Sequence, residues 1–312
     1  MFNILVTGGA GFIGSTLVDK LIDQGHAVTV LDSLVSGCRD YINPRADFWE
    51  LDILDNSLIK RFQEAKFDLV YHLAAQIDVR KSVADPAFDI SVNILGGLNI
   101  LEAARQSQVR KVVFSSTGGA IYGEAEELPT SEYAPTYPLS PYGINKLALE
   151  KYLNYYYQVY GLDYTILRFA NVYGPRQYKG GEAGVIAIFT EAMAGNKECI
   201  LYGDGKQTRD FVYVDDVAGA LMKAGVINYR GEINISTGEE VDIWQMIAAI
   251  ETAAGKKLSL KLAPPRLGEQ RRSVLLNSRA LETLDWRPQV VFDEGVRRTY
   301  EWVKKFSTPA KV

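Results

Sequence analysis

The chain has 312 residues, a hydrophobic fraction of 47%, a charged fraction of 23% and a formal net charge of −4. This length is more typical of two domains than of one, and the composition is that of a globular protein able to bury a large core. The acidic balance and the lack of a strongly basic stretch argue against a nucleic-acid partner.

Other features narrow the class of protein further. Two cysteines far apart in sequence, Cys38 and Cys199, give no disulfide framework and fit a reducing cytoplasm. The first residues lead directly into a strand without the positive region of a signal peptide, and no apolar run is long enough to cross a bilayer. Two histidines are too few for a typical histidine metal site. We therefore predict a cytoplasmic protein with no membrane segment and no metal.

The first half of the chain alternates short apolar runs with helical patterns. The predicted strands are Asn3–Thr7, Ala27–Asp32, Asp47–Asp52, Leu69–Leu73, Lys111–Ser116 and Asp163–Arg168. The predicted helices are Gly14–Gln24, Asn56–Ala65, Val92–Gln106 and Pro141–Tyr160. This alternation predicts an α/β fold with a Rossmann-type, doubly wound parallel sheet, whose strands are buried on both faces.

From about Asn171 this rhythm breaks, and glycine and proline become frequent, as in Gly174-Pro175 and Pro264-Pro265. We predict a Rossmann domain over residues 1–170, to which a segment at about 211–224 returns. Residues 171–312 are predicted to form a smaller, discontinuous, mixed α/β lobe that binds substrate.

The first predicted strand runs into Gly8, Gly11 and Gly14, a G-x-x-G-x-x-G variant of the dinucleotide-binding fingerprint. Such a turn needs unusual backbone angles, close approach to a pyrophosphate and tight packing of the next helix. Asp32 ends the second strand, where an acid binds the adenosine ribose and repels a 2′-phosphate, so NAD is favoured over NADP. Asp52 and Ile53, after the third strand, are weaker candidates for contact with the adenine.

Tyr142 and Lys146 form a Y-x-x-x-K motif at the start of a predicted helix, with both side chains on one face. A tyrosine with its ordinary pKa of about 10 is a poor base near neutrality, but an adjacent ammonium stabilises the phenolate. Upstream, Ser116 and Thr117 end a parallel strand at the sheet edge where ligands bind in such folds. A hydroxyl there can hold a substrate oxygen beside Tyr142.

Together these motifs resemble the extended short-chain dehydrogenase/reductase family and, within it, the nucleotide-sugar 4-epimerases. The likeness covers nearly the whole chain. It is carried by the segments 6–14, 72–75, 114–123, 140–146 and 168–176, together with Asn93 and Arg209-Asp210.

The resemblance implies an NAD-dependent UDP-sugar 4-epimerase that interconverts UDP-glucose and UDP-galactose through a transient 4-keto sugar. Tyr142 would remove the proton of the sugar 4-hydroxyl, Lys146 would tune Tyr142, and Thr117 would bind the 4-oxygen. Many epimerases place three residues between this hydroxyl and the next Tyr-Gly, whereas four separate Thr117 from Tyr122 here, so Ser116 is the alternative. The resemblance also adds to the cofactor-binding set Phe12, Ile13, Leu73, Ala74, Ala75 and Asn93, besides Tyr142 and Lys146.

For the UDP-sugar, the same resemblance implies the binding residues Asn171, Tyr202, Arg209, Arg266, Glu269 and Ser273. Arginine suits a diphosphate because its guanidinium makes paired hydrogen bonds to phosphate. A bulky aromatic at the position of Ser273 is associated with exclusion of N-acetylated sugars. The small serine therefore predicts that UDP-N-acetyl sugars are also accepted.

Two alternatives stay open. A nucleotide-sugar 4,6-dehydratase shares the scaffold, but it usually carries Asp-Glu directly after the hydroxyl, where this chain has Gly118-Gly119. A catalytically silent NAD-binding regulator would not need Tyr142 and Lys146 beside a strand-end hydroxyl. The resemblance further implies a homodimer formed through the helices near Val92–Gln106 and Pro141–Tyr160.

Overall fold

The computed structural model describes residues 1–177, 184–265 and 270–307. The strands are β1 (Asn3–Thr7), β2 (Ala27–Asp32), β3 (Asp47–Glu50), β4 (Leu69–His72), β5 (Lys111–Thr117), β6 (Asp163–Phe169), β7 (Asn171–Tyr173), β8 (Cys199–Tyr202), β9 (Thr208–Arg209), β10 (Phe211–Tyr213), β11 (Glu232–Ile235), β12 (Val241–Asp242) and β13 (Leu260–Ala263). The helices are α1 (Phe12–Asp23), α2 (Leu58–Ala65), α3 (Val79–Ala84), α4 (Pro86–Ile90), α5 (Gly97–Gln106), α6 (Gly118–Ile121), α7 (Pro141–Tyr160), α8 (Val185–Ala194), α9 (Val214–Val226), α10 (Ile243–Ala254), α11 (Ser278–Leu284) and α12 (Phe292–Ser307).

The centre of the molecule is a seven-stranded parallel sheet in the order β11-β6-β5-β4-β1-β2-β3. The strand order reverses between β4 and β1, and the carboxyl ends of strands at such a reversal form the crevice where open α/β sheets bind ligands. The predicted doubly wound fold is confirmed. The seventh strand, β11, was not predicted, because its four residues are a short run in the part of the chain where the alternation of strands and helices breaks.

Alternating side chains of the strands fill two core layers. Ile4 and Val6 face the layer that contains α1 and α9, whereas Leu5 faces the layer that contains α2, α5 and α7. Strands buried on both faces account for their nearly continuous apolar sequence. Each layer holds one set of helices against one face of the sheet.

A third core lies among elements that follow β6. Helices α8, α10 and α12 pack together, and β7 pairs in parallel with β10. The segment that follows β10 is α9, which packs on α1 and belongs to the core layer of the large sheet. The chain thus crosses between the third core and the sheet more than once.

The helix predicted over Val92–Gln106 is part of a longer helical stretch, Pro86–Gln106, which differs from the prediction in two further ways. Its middle, Ser91–Gly96, is a π-helix rather than an α-helix. Within the described residues this stretch also meets the length and composition criteria for a membrane span, with 21 residues and a mean hydropathy of 1.2, contrary to our expectation. Its most apolar window is 44% buried inside the protein, and the core helix of a soluble protein meets the same criteria, so this is weak evidence for a membrane.

Candidate active site

The glycine turn joins β1 to α1 in a very confined space. Gly8 has a φ of +70°, and a Cβ atom there would lie 2.7 Å from the Ala74 amide nitrogen. A Cβ on Gly14 would lie 2.1 Å from the Gly8 carbonyl oxygen. Gly11 is the N-cap residue of α1, and no side chain caps the first amides of this helix, which suits the binding of an anion there.

Asp32, at the carboxyl end of β2, is 7% exposed and reaches the glycine turn. Its Oδ2 accepts a hydrogen bond from the Ala10 amide at 3.0 Å, and its Oδ1 accepts one from the Leu34 amide at 2.9 Å. Burial raises the pKa of this carboxyl, and the two amide donors oppose that rise. Asp32 therefore lies at the end of the predicted cofactor crevice next to the glycine turn.

The loop after β4 is held by a hydroxyl–histidine pair. The Thr7 hydroxyl accepts hydrogen bonds from the amides of Leu73 and Ala74 at 3.2 and 3.1 Å, and it lies 2.8 Å from Nδ1 of His72. Because burial lowers the pKa of His72 to about 3, the ring is neutral near neutral pH. We infer that the Thr7 hydroxyl donates to Nδ1. The pair fixes Leu73 and Ala74 against the glycine turn, while Ala75 follows in the same loop.

The remaining predicted cofactor contacts lie in different settings. Asn93 is buried and its amide group exchanges two hydrogen bonds with the backbone of Gln76, at 3.0 and 2.9 Å. Asp52 is exposed, and its carboxylate accepts from the Leu54 amide at 2.8 Å. Ile53 is buried, and its side chain packs so closely on Gly96 that a Cβ atom there would collide with it.

The Y-x-x-x-K motif is bound to the end of β5. Lys146 is 4% exposed, and its Nζ donates to the Ser115 carbonyl oxygen at 2.8 Å and lies 4.6 Å from the centre of the Phe114 ring. Burial lowers the pKa of Lys146 to about 8. Tyr142 lies in the first turn of α7, half-buried, on the same helix face. The motif and the strand-end hydroxyls therefore meet at one edge of the sheet.

The two candidate hydroxyls have different surroundings. Ser116 is buried, and its hydroxyl donates to Oε1 of Glu150 at 2.6 Å. Thr117 is the last residue of β5 and the N-cap residue of α6, and it is half-buried. The geometry thus favours Thr117 as the hydroxyl that faces a ligand.

Beneath this site lies a buried ion pair. Arg168 of β6 donates to both carboxylate oxygens of Glu150, at 3.0 and 2.6 Å, and the two side chains are 3% and 2% exposed. Arg168 also donates to the hydroxyl of Tyr122 at 3.0 Å, which in turn donates to Asn234 at 2.8 Å. This network ties β5, β6, α7 and β11 together under the catalytic end of the sheet.

Three of the predicted substrate-binding residues adjoin one buried carboxylate. Asp210 is 1% exposed. The Asp210 backbone bonds to Asn171 and to Ser273, each at 2.9 Å, while its side chain accepts from the amides of Thr237, Gly238 and Leu275. Arg209, the last residue of β9, directly precedes Asp210 in the chain. The structure therefore brings Asn171, Arg209 and Ser273 together.

The Ser273 segment also reaches the catalytic end. A Cβ on Gly118 would lie 2.3 Å from a methyl group of Leu275, and the Gln270 side chain donates to the Gly123 carbonyl oxygen at 2.8 Å. Ser273 is 7% exposed. The segment is therefore positioned between Asp210 and the residues that follow Thr117.

Tyr202 lies at a separate cavity of about 460 Å³, lined by Tyr202, Gly203, Asp204, Gln207, Ala263, Pro265 and Arg271. Arg271 makes a bidentate ion pair with Asp204 at 2.7 and 2.9 Å on its rim. The predicted residues Arg266 and Glu269 lie outside the described part of the chain.

Sequence reasoning missed several residues of this site. Glu150 and Arg168 form its buried ion pair, and Gln76, Asp89 and Asn145 form a second polar cluster beside Lys146. Asn145 lies inside the Y-x-x-x-K segment, which was the available signal. Asp89 belongs to no motif that could have indicated it.

Comparison with known proteins identifies the family of the chain. A model of the NAD dependent epimerase/dehydratase family matches residues 4–235. The chain belongs to this family.

Three similar proteins cover nearly the whole chain. The UDP-glucose 4-epimerase of Mycolicibacterium smegmatis is 46% identical, over 97% of this chain and 99% of its own length. The structure of the UDP-glucose 4-epimerase of Thermotoga maritima with UDP-glucose is 45% identical with a TM-score of 0.95, and covers 98% of this chain and 99% of its own. The structure of the UDP-glucose 4-epimerase of Thermus thermophilus in complex with NAD is 45% identical with a TM-score of 0.92. It covers 96% of this chain and 98% of its own.

NAD is the cofactor of this family, and the residues of this chain fit it. The glycine turn leaves no room for side chains, the first amides of α1 are uncapped, and Asp32 is buried at the end of β2. The glycine turn suits close approach of the backbone to the cofactor, and the first amides of α1 suit its pyrophosphate. Asp32 suits a ribose with a free 2′-hydroxyl.

Proposed function

We propose that this enzyme is a UDP-sugar 4-epimerase, which interconverts UDP-glucose and UDP-galactose through a transient 4-keto sugar. The observation that carries this proposal is the 2.8 Å hydrogen bond from Lys146 Nζ to the Ser115 carbonyl oxygen. It joins the start of α7, with Tyr142, to the strand end with Thr117. The full-length similarity to UDP-glucose 4-epimerases supports the choice of reaction.

Each residue of the catalytic end has a part in this reaction. Thr117 binds the sugar 4-oxygen, and Tyr142 takes the proton of the 4-hydroxyl and later returns it. Lys146 supplies the positive charge that favours the Tyr142 phenolate. The residues assigned to the cofactor would hold NAD beside this site, where it would supply a reversible acceptor for the C4 hydride and so keep the net reaction redox-neutral.

The proposed nucleotide site begins at Asp210 and the two residues bonded to its backbone, Asn171 and Ser273. Arg209 and Asn171 are assigned to the diphosphate end, and Tyr202 with its cavity to the uridine. We add Arg266 and Glu269 to this set because the family motif places an arginine and an acid there. Asp32, with Gly8, Gly11 and Gly14, is assigned to the cofactor, together with Phe12, Ile13, Asp52, Ile53, Leu73, Ala74, Ala75 and Asn93.

The small buried side chain of Ser273 supports a broader substrate range. A serine at this position leaves space that a bulky aromatic would fill, and the segment lies beside Gly118 of the catalytic end. We propose that UDP-N-acetylglucosamine is also a substrate, and that Ser273→Tyr abolishes its turnover while UDP-glucose is still converted. No turnover of UDP-N-acetylglucosamine by the unaltered enzyme, in conditions where UDP-glucose reacts, contradicts this.

The dehydratase alternative lacks support in the structure. Elimination of water across C5 and C6 needs an acid and a base near the sugar, and the two residues that directly follow Thr117 are Gly118 and Gly119. A carboxylate at the position of Gly118 would also require the Leu275 side chain to move.

We further propose that the enzyme is a cytoplasmic homodimer. Apolar side chains that are about half exposed lie on α4, on the π-helix Ser91–Gly96 and on α7: Phe88, Ile90, Leu95, Ile144, Tyr155 and Val159. A second copy of the chain would bury them. Cys38 and Cys199 are both free, which fits a reducing compartment. Light scattering on the purified protein tests the dimer.

The decisive assay incubates the purified enzyme with UDP-galactose and no added reductant. Formation of UDP-glucose without net NADH supports epimerisation, and Tyr142→Phe should abolish it while NAD binding remains. If NAD is bound but no sugar nucleotide is converted, the silent regulator becomes the better interpretation. Unchanged activity of Tyr142→Phe contradicts the assigned base.

A further inference from the structure

A fully buried carboxylate lies beside the catalytic helix. Asp89 of α4 is 0% exposed. Its Oδ2 accepts from Nδ2 of Asn145 at 2.6 Å, and its Oδ1 accepts from Nε2 of Gln76 at 2.7 Å. Both donors are neutral amides. Burying a carboxylate is costly unless hydrogen bonds and an opposite charge compensate it, so this group calls for a nearby cation.

The buried charges around α7 leave one cation for Asp89. Arg168 is bonded directly to both oxygens of Glu150. Lys146 instead donates to the neutral carbonyl of Ser115. It also directly follows Asn145 in the chain, the residue that donates to Asp89. Arg168 and Glu150 thus satisfy each other, which leaves Lys146 as the buried cation of α7 that can offset Asp89.

We propose that Asp89 is the counter-charge of Lys146 and a positioning residue for the Tyr142–Lys146 pair. This inference rests on the proposed function, because it concerns how that pair keeps its charge. Asp89 also holds Gln76, whose backbone is bound by Asn93. The same cluster therefore links the start of α7 to the loop that follows β4.

The electrostatics of Lys146 agree with this assignment. Burial lowers the pKa of Lys146, and the charges that oppose this are Asp89 first and then Glu150. His72, facing from β4, is neutral near pH 7 because burial lowers its pKa to about 3. From β5 Lys146 meets the Phe114 ring, which carries no charge.

Further charges near Asp89 lie at the N-caps of two helices, Asp78 before α3 and Asp85 before α4, and on α3 itself, which packs on α4. Arg80 lies on the surface and pairs with Asp78 at 3.5 Å, and Lys81 is exposed, so water screens both. Tyr142, on α7, is the group that Lys146 serves. Loss of the Asp89 charge should therefore act mainly on Lys146.

The first test measures unfolding in urea, without substrate, for Asp89→Asn, Lys146→Met and the double variant. A counter-charge predicts that Asp89→Asn destabilises the protein less when Lys146 is already methionine. The expected coupling is about tenfold in the unfolding equilibrium, or about 1.4 kcal/mol. Additive effects overturn the proposal. If Asp89→Asn does not fold alone, recovery of folding in the double variant supports the proposal, and failure of both overturns it.

The second test is the pH profile of kcat. Removal of Asp89 should lower the pKa of Lys146, and so move the basic limb of the profile from near pH 8 to lower pH by about one unit. Asp89→Glu should restore the limb. Ser82→Ala is the matched control, since it removes a buried hydroxyl that donates to the Val79 carbonyl oxygen on the adjacent α3 without changing any charge.

A lower kcat in Asp89→Asn with an unmoved basic limb would mean a merely structural role and overturn the proposal. The unfolding test does not depend on epimerase activity. An enzyme without that activity would therefore contradict the proposed function, while the Asp89–Lys146 coupling would still be measured.

Discussion

The glycine turn makes a sharp prediction for Gly14→Ala. The new Cβ would lie 2.1 Å from the Gly8 carbonyl oxygen and 2.8 Å from the Gly8 carbonyl carbon. Real Cβ contacts are not shorter than 3.0 Å, so α1 or the turn must move by at least 0.9 Å. Both atoms belong to the backbone and cannot rotate away. Overpacking of this kind costs about 1–3 kcal/mol of unfolding free energy.

The same displacement should weaken cofactor binding. It moves the first amides of α1, and losing one hydrogen bond to a charged phosphate costs about 1.5–3 kcal/mol, or tenfold or more in affinity. Calorimetric titration of cofactor-free protein with NAD measures this loss, and urea unfolding measures stability.

Gly219→Ala is the matched control for Gly14→Ala. Gly219 lies inside α9, and its Cβ would meet no atom within 4 Å. Alanine favours a helix over glycine by about 0.5–1 kcal/mol, so this variant should gain stability and keep its NAD affinity. Unchanged NAD affinity and stability in Gly14→Ala would refute the reasoning about the turn.

Three further predictions concern the catalytic end. Glu150→Gln leaves the Arg168 charge buried without its partner and should cost about 3–5 kcal/mol in urea unfolding; a loss below about 1 kcal/mol would contradict this. Thr117→Val should lower kcat about 100-fold, whereas Ser116→Ala should keep kcat and lose about 1 kcal/mol of stability; the opposite pattern would make Ser116 the substrate hydroxyl. Because burial lowers the pKa of His72 from 6.5 to about 3, only the unfolded state protonates this ring between pH 6.5 and about pH 3. Stability should fall as pH falls through that window, and an equally steep fall in His72→Asn would argue against His72 as its source.

Much of the fold followed from local patterns in the sequence. The six predicted strands and the glycine turn are present. Short apolar runs that alternate with helical patterns are buried as the strands of a parallel sheet covered by helices. Lys146 and Tyr142 lie on one helix face because the four-residue spacing nearly matches one helical turn. The short strand β11 and the π-helix Ser91–Gly96 were missed, since neither has a local pattern of its own.

The sequence by itself thus determined the sheet, the cofactor turn and the catalytic motif, whose requirements are backbone conformation and side-chain period. Only the tertiary structure decided which distant groups meet. Asp89 and Asn145 are 56 residues apart, and Ser273 lies against Asp210 through a 2.9 Å backbone hydrogen bond. Nothing near these residues in the chain predicts such contacts, because they depend on how separate helices and loops pack around the sheet. That packing places a buried carboxylate beside Lys146, and with it the charge balance on which the proposed chemistry depends.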